Sequence, residues 1–135
     1  MSNFILADEY VTDTMALVLH LENRKSSQSV KQIFDSADSG KTTIYIPAIV
    51  FAEILYLAEK QRISLNLHEV EKHLQTFKTY REIPLSFEIV QNAQQISDIP
   101  ELHDRLIAST ASFLNLVLIT NDPKIENSQF VNTVW

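Results

Sequence analysis

The chain has 135 residues, of which 45% are hydrophobic, and a formal net charge of −6. Its length and composition predict one globular domain, residues 1–135, with a sizeable core. Cysteine is absent, which excludes disulfides and thiolate metal sites, and the acidic balance excludes a nucleic-acid binder that relies on its own basic charge alone.

The sequence also argues against a membrane protein or a secreted one. No apolar run approaches the roughly 18 residues of a membrane span. The first ten residues, MSNFILADEY, carry acids where a signal peptide carries basic residues. We therefore expect a cytoplasmic protein with no membrane contact. The one glycine, Gly40, excludes the phosphate-binding loops that need several glycines.

Strand and helix patterns alternate along the chain. In order, they predict a strand ending at 10–12, helices over 15–21 and 30–37, a strand over 42–46, helices over 48–60 and 68–80, a strand over 81–85, helices over 87–96 and 100–114, a strand over 117–119 and an edge strand over 130–135. This alternation is typical of an α/β fold. We expect a three-layer sandwich with a central, mainly parallel sheet flanked by helices.

Local signals place several ends of these elements. Asp13 lies between a strand and a helix, where Asp is a good N-cap. Pro100 fits a first helical turn, because its missing N–H costs nothing there, and Asn115 is a plausible stop for that helix. Residues 117–119 are a short run apolar on both faces, which is typical of a buried central strand.

The helix predicted over 48–60 is apolar nearly all round and is therefore buried or packed on a partner. Glu53 lies in its middle, with no basic residue one turn away. A buried, unpaired carboxylate costs several kcal/mol or stays protonated, so Glu53 needs a partner, and a metal ion would serve. The open alternative is that Glu53 faces solvent along a narrow polar stripe with Lys60.

Three further acids have ordinary interpretations when each is taken alone. Asp13 can be a helix cap, Asp104 can interact with a helix macrodipole, and Asp122 can be a turn residue before Pro123. Asp13 and Asp122, however, both follow apolar strands, so both are expected at the carboxyl edge of a parallel sheet, where ligands bind. Hard cations such as Mg²⁺ take carboxylate oxygens and waters. Together with Glu53, these acids predict a metal site.

Four motifs carry a resemblance that covers nearly the whole chain. They are YVTDT at 10–14, IPAIVFAEI at 46–54, LHDRLIA at 102–108 and LITND at 118–122. In this order they resemble the acidic motifs of PIN-domain ribonucleases, and in particular of VapC-type toxins from bacterial toxin–antitoxin pairs.

The resemblance implies that Asp13, Glu53, Asp104 and Asp122 form a site for Mg²⁺ or Mn²⁺, supported by Thr120 and Thr14. It also implies metal-dependent hydrolysis of RNA phosphodiester bonds, a homodimer and an antitoxin partner. From the residues alone, Arg105 is expected either to pair with a neighbouring acid or to contact a phosphate.

Two other functions stay open from the sequence. The first is a PIN-like module that binds RNA or protein without cleaving it, which would have no reason to keep mutually repelling carboxylates together. The second is a structural subunit whose acids are only caps and turns. It predicts that Asp13→Asn and Asp122→Asn leave any activity nearly unchanged.

Overall fold

The computed structural model describes residues 4–135, so the start of the N-terminal stretch interpreted above lies outside the described residues. The described chain contains a five-stranded parallel sheet with the strand order β3-β2-β1-β4-β5. The strands are β1 (Glu9–Thr12), β2 (Thr43–Pro47), β3 (Tyr80–Ile83), β4 (Leu118–Ile119) and β5 (Thr133–Val134). The flanking helices are α1 (Thr14–Leu21), α2 (Gln28–Asp38), α3 (Ala48–Glu59), α4 (Leu67–Thr76), α5 (Phe87–Ala93), α6 (Leu102–Leu114) and α7 (Pro123–Glu126). The predicted α/β fold, a parallel central sheet flanked by helices, is confirmed.

The sheet brings the ends of β1 and β4 together. Thr12 is paired with Ile119 in the parallel register, and the Asp13 N–H donates to the Ile119 carbonyl at 3.1 Å. Because all five strands run in the same direction, Asp13 and Thr120 leave the sheet at one edge. This is the edge where a parallel sheet binds ligands.

The core lies on both faces of the central strands. Val11, Ile44, Leu118 and Ile119 are fully buried, as expected for strands covered by helices on two sides. The buried residues of α2 are four apolar ones: Val30, Ile33, Phe34 and Ala37.

Several predicted boundaries are wrong by a few residues. Pro100 is not in the first turn of α6, because the helix begins at Leu102 and the Glu101 carboxylate accepts the N–H groups of His103 and Asp104 as N-cap. The helix predicted over 68–80 ends at Thr76, since Tyr80 already pairs in β3. The predicted edge strand over 130–135 contains only Thr133–Val134 in the ladder.

Other predicted ends are confirmed. Asp13 caps α1, since its Oδ1 accepts the Ala16 N–H at 2.8 Å. Asn115 ends α6 in the left-handed conformation, with φ of +56°, which Asn tolerates better than most residues. No helix within residues 4–135 is long and apolar enough to cross a membrane.

Candidate metal centre

Asp13 is held at the carboxyl edge of the sheet and is only 8% exposed. Its side chain caps α1 and is hydrogen-bonded to Thr120. The pKa of Asp13 is raised from 3.8 to about 6, chiefly by burial; the charges of Glu53 and Asp122 contribute to the rise, whereas the hydrogen bonds from Thr120 and Ala16 oppose it. Desolvation outweighs the hydrogen bonds because water is removed from nearly the whole carboxylate.

Glu53 projects from α3 towards α1 and the start of α6. The Thr14 hydroxyl donates a short hydrogen bond to Glu53 Oε1, and His103 Nδ1 lies 3.6 Å from Glu53 Oε2. The Glu53 side chain is 26% exposed, so the solvent-facing stripe with Lys60 does not describe it. The sequence predicted a partner for Glu53, and Thr14 is one.

Asp122 lies two residues beyond Thr120, at the start of α7. The Thr120 hydroxyl oxygen accepts the Asp122 N–H at 3.2 Å, and Asp122 Oδ1 accepts the Lys124 N–H at 3.0 Å. Asp122 is therefore the N-cap of α7, whereas its ordinary interpretation was a turn residue before Pro123. Thr120 links Asp122 to Asp13, because it bonds to both residues.

Asp104 lies in the first turn of α6, as predicted. Its pKa is raised from 3.8 to about 6, chiefly by partial burial and then by the charges of Glu101, Asp122 and Glu53, while Lys124 opposes the rise. Glu101 and Lys124 were missed in the sequence, although each lies within three residues of a predicted acid.

Four separate elements therefore bring their acids into one electrostatic environment. Glu53 and Asp122 each raise the pKa of both Asp13 and Asp104. Among the described residues, no lysine or arginine forms a salt bridge with any of the four acids. Carboxylates that repel one another and form no salt bridge with a lysine or arginine suit a divalent cation.

The spacing of the four acids bears on the kind of cation. Within residues 4–135, no three of these acids place their ligand atoms all within 4.8 Å of one another. Mg²⁺ usually keeps several waters and takes only one or two carboxylates directly, with substrate phosphate completing the shell. An open set of carboxylates therefore fits Mg²⁺ better than a closed cage would.

Within residues 4–135, Arg105 does not form the ion pair that was one of its two expected roles. Its Nε donates to the Ile99 carbonyl at 3.0 Å and its Nη2 donates to the Pro100 carbonyl at 3.2 Å. The guanidinium thus holds the loop before α6, because those carbonyls have no helical donor. Contact with a phosphate stays a prediction. His103, two residues before Arg105, lies at the surface with its side chain 55% exposed and also contacts Glu53.

An open cleft of about 610 Å³ adjoins Glu53. Its lining combines Glu53 and His103 with an apolar strip of α3, namely Ile49, Ala52, Tyr56 and Leu57. Tyr56 is 51% exposed and the adjacent Leu55 is 44% exposed. One face of α3 is thus buried, with Val50 and Ile54 in the core, and packing of the exposed face on a partner stays a prediction.

Comparison with known families gives a match over most of the chain. The model described as PIN domain matches residues 10–130, a range that contains all four acids. No curated protein matches the chain at a significant level.

Solved structures share the fold at low sequence identity. VapBC2 from Rickettsia felis, bound to a DNA fragment from its promoter, is 20% identical with a TM-score of 0.71, covering 94% of this chain and 98% of that one. DNA-bound VapBC from Salmonella typhimurium is 17% identical with a TM-score of 0.69, covering 96% and 98%. FitAcB from Neisseria gonorrhoeae is 18% identical with a TM-score of 0.65, covering 93% and 96%.

Proposed function

We propose, on the premise that this chain belongs to the PIN domain family, that it is a ribonuclease that hydrolyses RNA phosphodiester bonds with Mg²⁺ or Mn²⁺. We propose further that it is the toxin of a toxin–antitoxin pair and acts on RNA in the cytoplasm. The observation that carries the proposal is the buried Asp13 carboxylate, whose ionisation is opposed by two other acids and by burial. A bound cation relieves both effects.

The residues that would hold the ion are Asp13, Asp104 and Asp122, with Glu53 bound through water or orienting the nucleophile. When bound, the ion polarises the scissile phosphate and lowers the pKa of a water molecule so that it can attack. The ion also offsets the negative charge that would otherwise repel RNA from this edge of the sheet.

Two threonines position the carboxylates. Thr14 donates to Glu53, which fixes one Glu53 oxygen and leaves the other facing His103. Thr120 bonds to Asp13 and accepts the Asp122 N–H, so it couples the ends of β1 and β4. Side chains held in this way need little rearrangement when substrate binds, which is what positioning groups contribute to catalysis.

The proposal predicts that cleavage depends on added metal. Purified protein is incubated with mixed RNA and either Mg²⁺ or Mn²⁺, with and without excess chelator. Cleavage is expected with either ion and is expected to stop with chelator, because the four acids without a cation repel the phosphate. Restoration by excess Mn²⁺ is the control for chelator damage.

Cleavage that is unchanged in chelator would contradict the metal role. Tight RNA binding with no cleavage in either metal would favour the alternative, a non-catalytic PIN-like module that binds RNA or protein.

We also propose a homodimer, in which the exposed strip of α3 is a candidate contact. Leu55 and Tyr56 are large and about half exposed on this helix, and exposed apolar patches often mark protein interfaces. If α3 forms the contact, Leu55→Asp is expected to shift the chain from dimer to monomer by light scattering. The matched control is Leu85→Asp, since Leu85 is 43% exposed but lies outside α3. A dimer that survives Leu55→Asp would exclude this surface.

An antitoxin partner is supported by the solved neighbours, one of which is described as a toxin–antitoxin complex from Klebsiella pneumoniae. The cleft beside Glu53 adjoins the proposed catalytic edge and is largely apolar. A segment seated there would cover Glu53 and block the approach of substrate to it. The product of a small reading frame beside this gene should therefore copurify with the chain and suppress RNA cleavage. A copurified product that leaves cleavage unchanged would contradict this arrangement.

A further inference from the structure

A second group of candidate ligands lies away from the four acids. His20 is in the last turn of α1, Asp38 ends α2, and His73 is on α4. Within residues 4–135 these three form the one group of three or more such side chains whose ligand atoms all lie within 4.8 Å of one another. His20 is roughly 10 Å along α1 from Asp13, so this group is not part of the candidate metal centre.

Both imidazoles present the same ring nitrogen to one carboxylate. His20 Nε2 lies 2.8 Å from Asp38 Oδ2, and His73 Nε2 lies 3.3 Å from Asp38 Oδ1. The Tyr80 hydroxyl donates to Asp38 Oδ1 at 2.6 Å. A carboxylate flanked by two Nε2 atoms and held by a third residue has the composition of a metal site with an outer hydrogen bond.

His73 Nε2 is the observation that hydrogen bonding alone does not explain. It lies 3.3 Å from Asp38 Oδ1, but the contact is not aligned as a hydrogen bond, and among the described residues it is the buried side-chain nitrogen or oxygen atom without one. A hydrogen-bonded cluster accounts for His20, Asp38 and Tyr80, whereas it leaves this nitrogen with a poorly aligned contact. A metal ion would satisfy the nitrogen by accepting its lone pair.

The two rings are also held in place by packing. His20 stacks on Phe34 with ring centroids 4.6 Å apart, and His73 meets the Tyr80 ring edge-on at 4.5 Å. The three ligand side chains are between 16% and 28% exposed, so solvent can still deliver an ion. Ligands locked by their neighbours lose little freedom on binding.

We propose that His20, Asp38 and His73 bind a Zn²⁺ ion that ties α1, α2 and α4 together, with Tyr80 orienting the carboxylate. Two imidazoles and one carboxylate are borderline donors that favour Zn²⁺ over Mg²⁺. Ligands of a tetrahedral zinc ion lie about 3.3 Å apart, given bonds of roughly 2.0–2.1 Å. The 2.8 Å contact of His20 with Asp38 therefore has to open slightly when the ion enters.

The test measures zinc binding and stability, so it does not depend on RNA cleavage. The metal-stripped full chain is titrated with Zn²⁺ against a zinc indicator, with excess Mg²⁺ present to occupy the four-acid site. One Zn²⁺ per chain is expected, together with a rise in Tm on zinc addition. His73→Gln and His20→Gln are each expected to weaken binding by more than about 100-fold, since even outer-shell changes cost 10–100-fold, and to abolish the rise in Tm.

The matched control is His68→Gln, because the His68 side chain is 76% exposed and lies outside the group. It should bind zinc as the wild type does. Circular dichroism of each metal-free variant checks that it is folded. The proposal is overturned if the wild type binds no stoichiometric zinc, or if folded His73→Gln binds it as tightly as His68→Gln.

Discussion

Asp13→Asn and Asp104→Asn are each expected to reduce metal-dependent RNA cleavage by at least about 100-fold. Both residues belong to the proposed ligand set, and even residues that only orient metal ligands contribute 10–100-fold. Asparagine keeps the shape of the side chain but removes the charge that a hard cation requires. The measurement is the initial rate of cleavage of a defined RNA at saturating Mn²⁺.

The fold should survive both substitutions, since asparagine caps helices as well as aspartate does. Asp8→Asn is the matched control, because Asp8 is exposed and precedes β1, whereas Asp13 follows it. Wild-type rates in both site variants would attribute the cleavage to a contaminant and would favour the structural subunit. Loss of cleavage in Asp8→Asn as well would point to a general defect instead.

Without metal, the protein is expected to lose stability as the pH rises from about 4 to about 7. The pKa of Asp13 is raised from 3.8 to about 6 on folding, and that of Asp104 is raised to about 6 as well. Between pH 3.8 and about 6 each carboxyl group is ionised in the unfolded chain and protonated in the folded chain. The free energy of unfolding therefore falls as the pH increases. Below pH 3.8 both states are protonated and the penalty disappears.

Asp13→Asn should therefore stabilise the metal-free protein near neutral pH. A shift from 3.8 to about 6 corresponds to about 3 kcal/mol. Urea unfolding of wild type and variant at several pH values would measure the difference, and the variant should show a shallower pH dependence. Mg²⁺ should stabilise the wild type more than the variant, through linkage. A variant that is less stable than the wild type at neutral pH, with the same pH dependence, would contradict this expectation.

The opposite signs of these two effects distinguish a functional carboxylate from a structural one. Replacing a residue that serves only as a helix cap would lower the free energy of unfolding or leave it unchanged, and activity would not change. For Asp13 we expect the reverse: replacement raises the free energy of unfolding, because a buried charge is removed, and lowers activity, because the metal requires that charge. Such a trade-off between stability and activity is common at active sites.

The sequence by itself determined the class of fold and the order of the acidic motifs. The apolar strand ending at Ile119 and the cap at Asp13 are local signals, because burial on two faces and helix capping depend on a few adjacent residues. The parallel sheet then follows from the alternation of strands and helices. Acids that directly follow parallel strands therefore lie at the same edge of the sheet, whatever the packing of the helices.

Only the tertiary structure decided which side chains meet. The bond from Thr14 to Glu53 spans 39 residues, and the pair of His20 and Asp38 spans 18. The contact of His103 with Glu53 depends on how α6 packs against α3. Hydrophobic periodicity reports which face of an element is buried, but not which residue of another element lies opposite it. Contacts between elements are set by packing of the whole chain, and that information is not local.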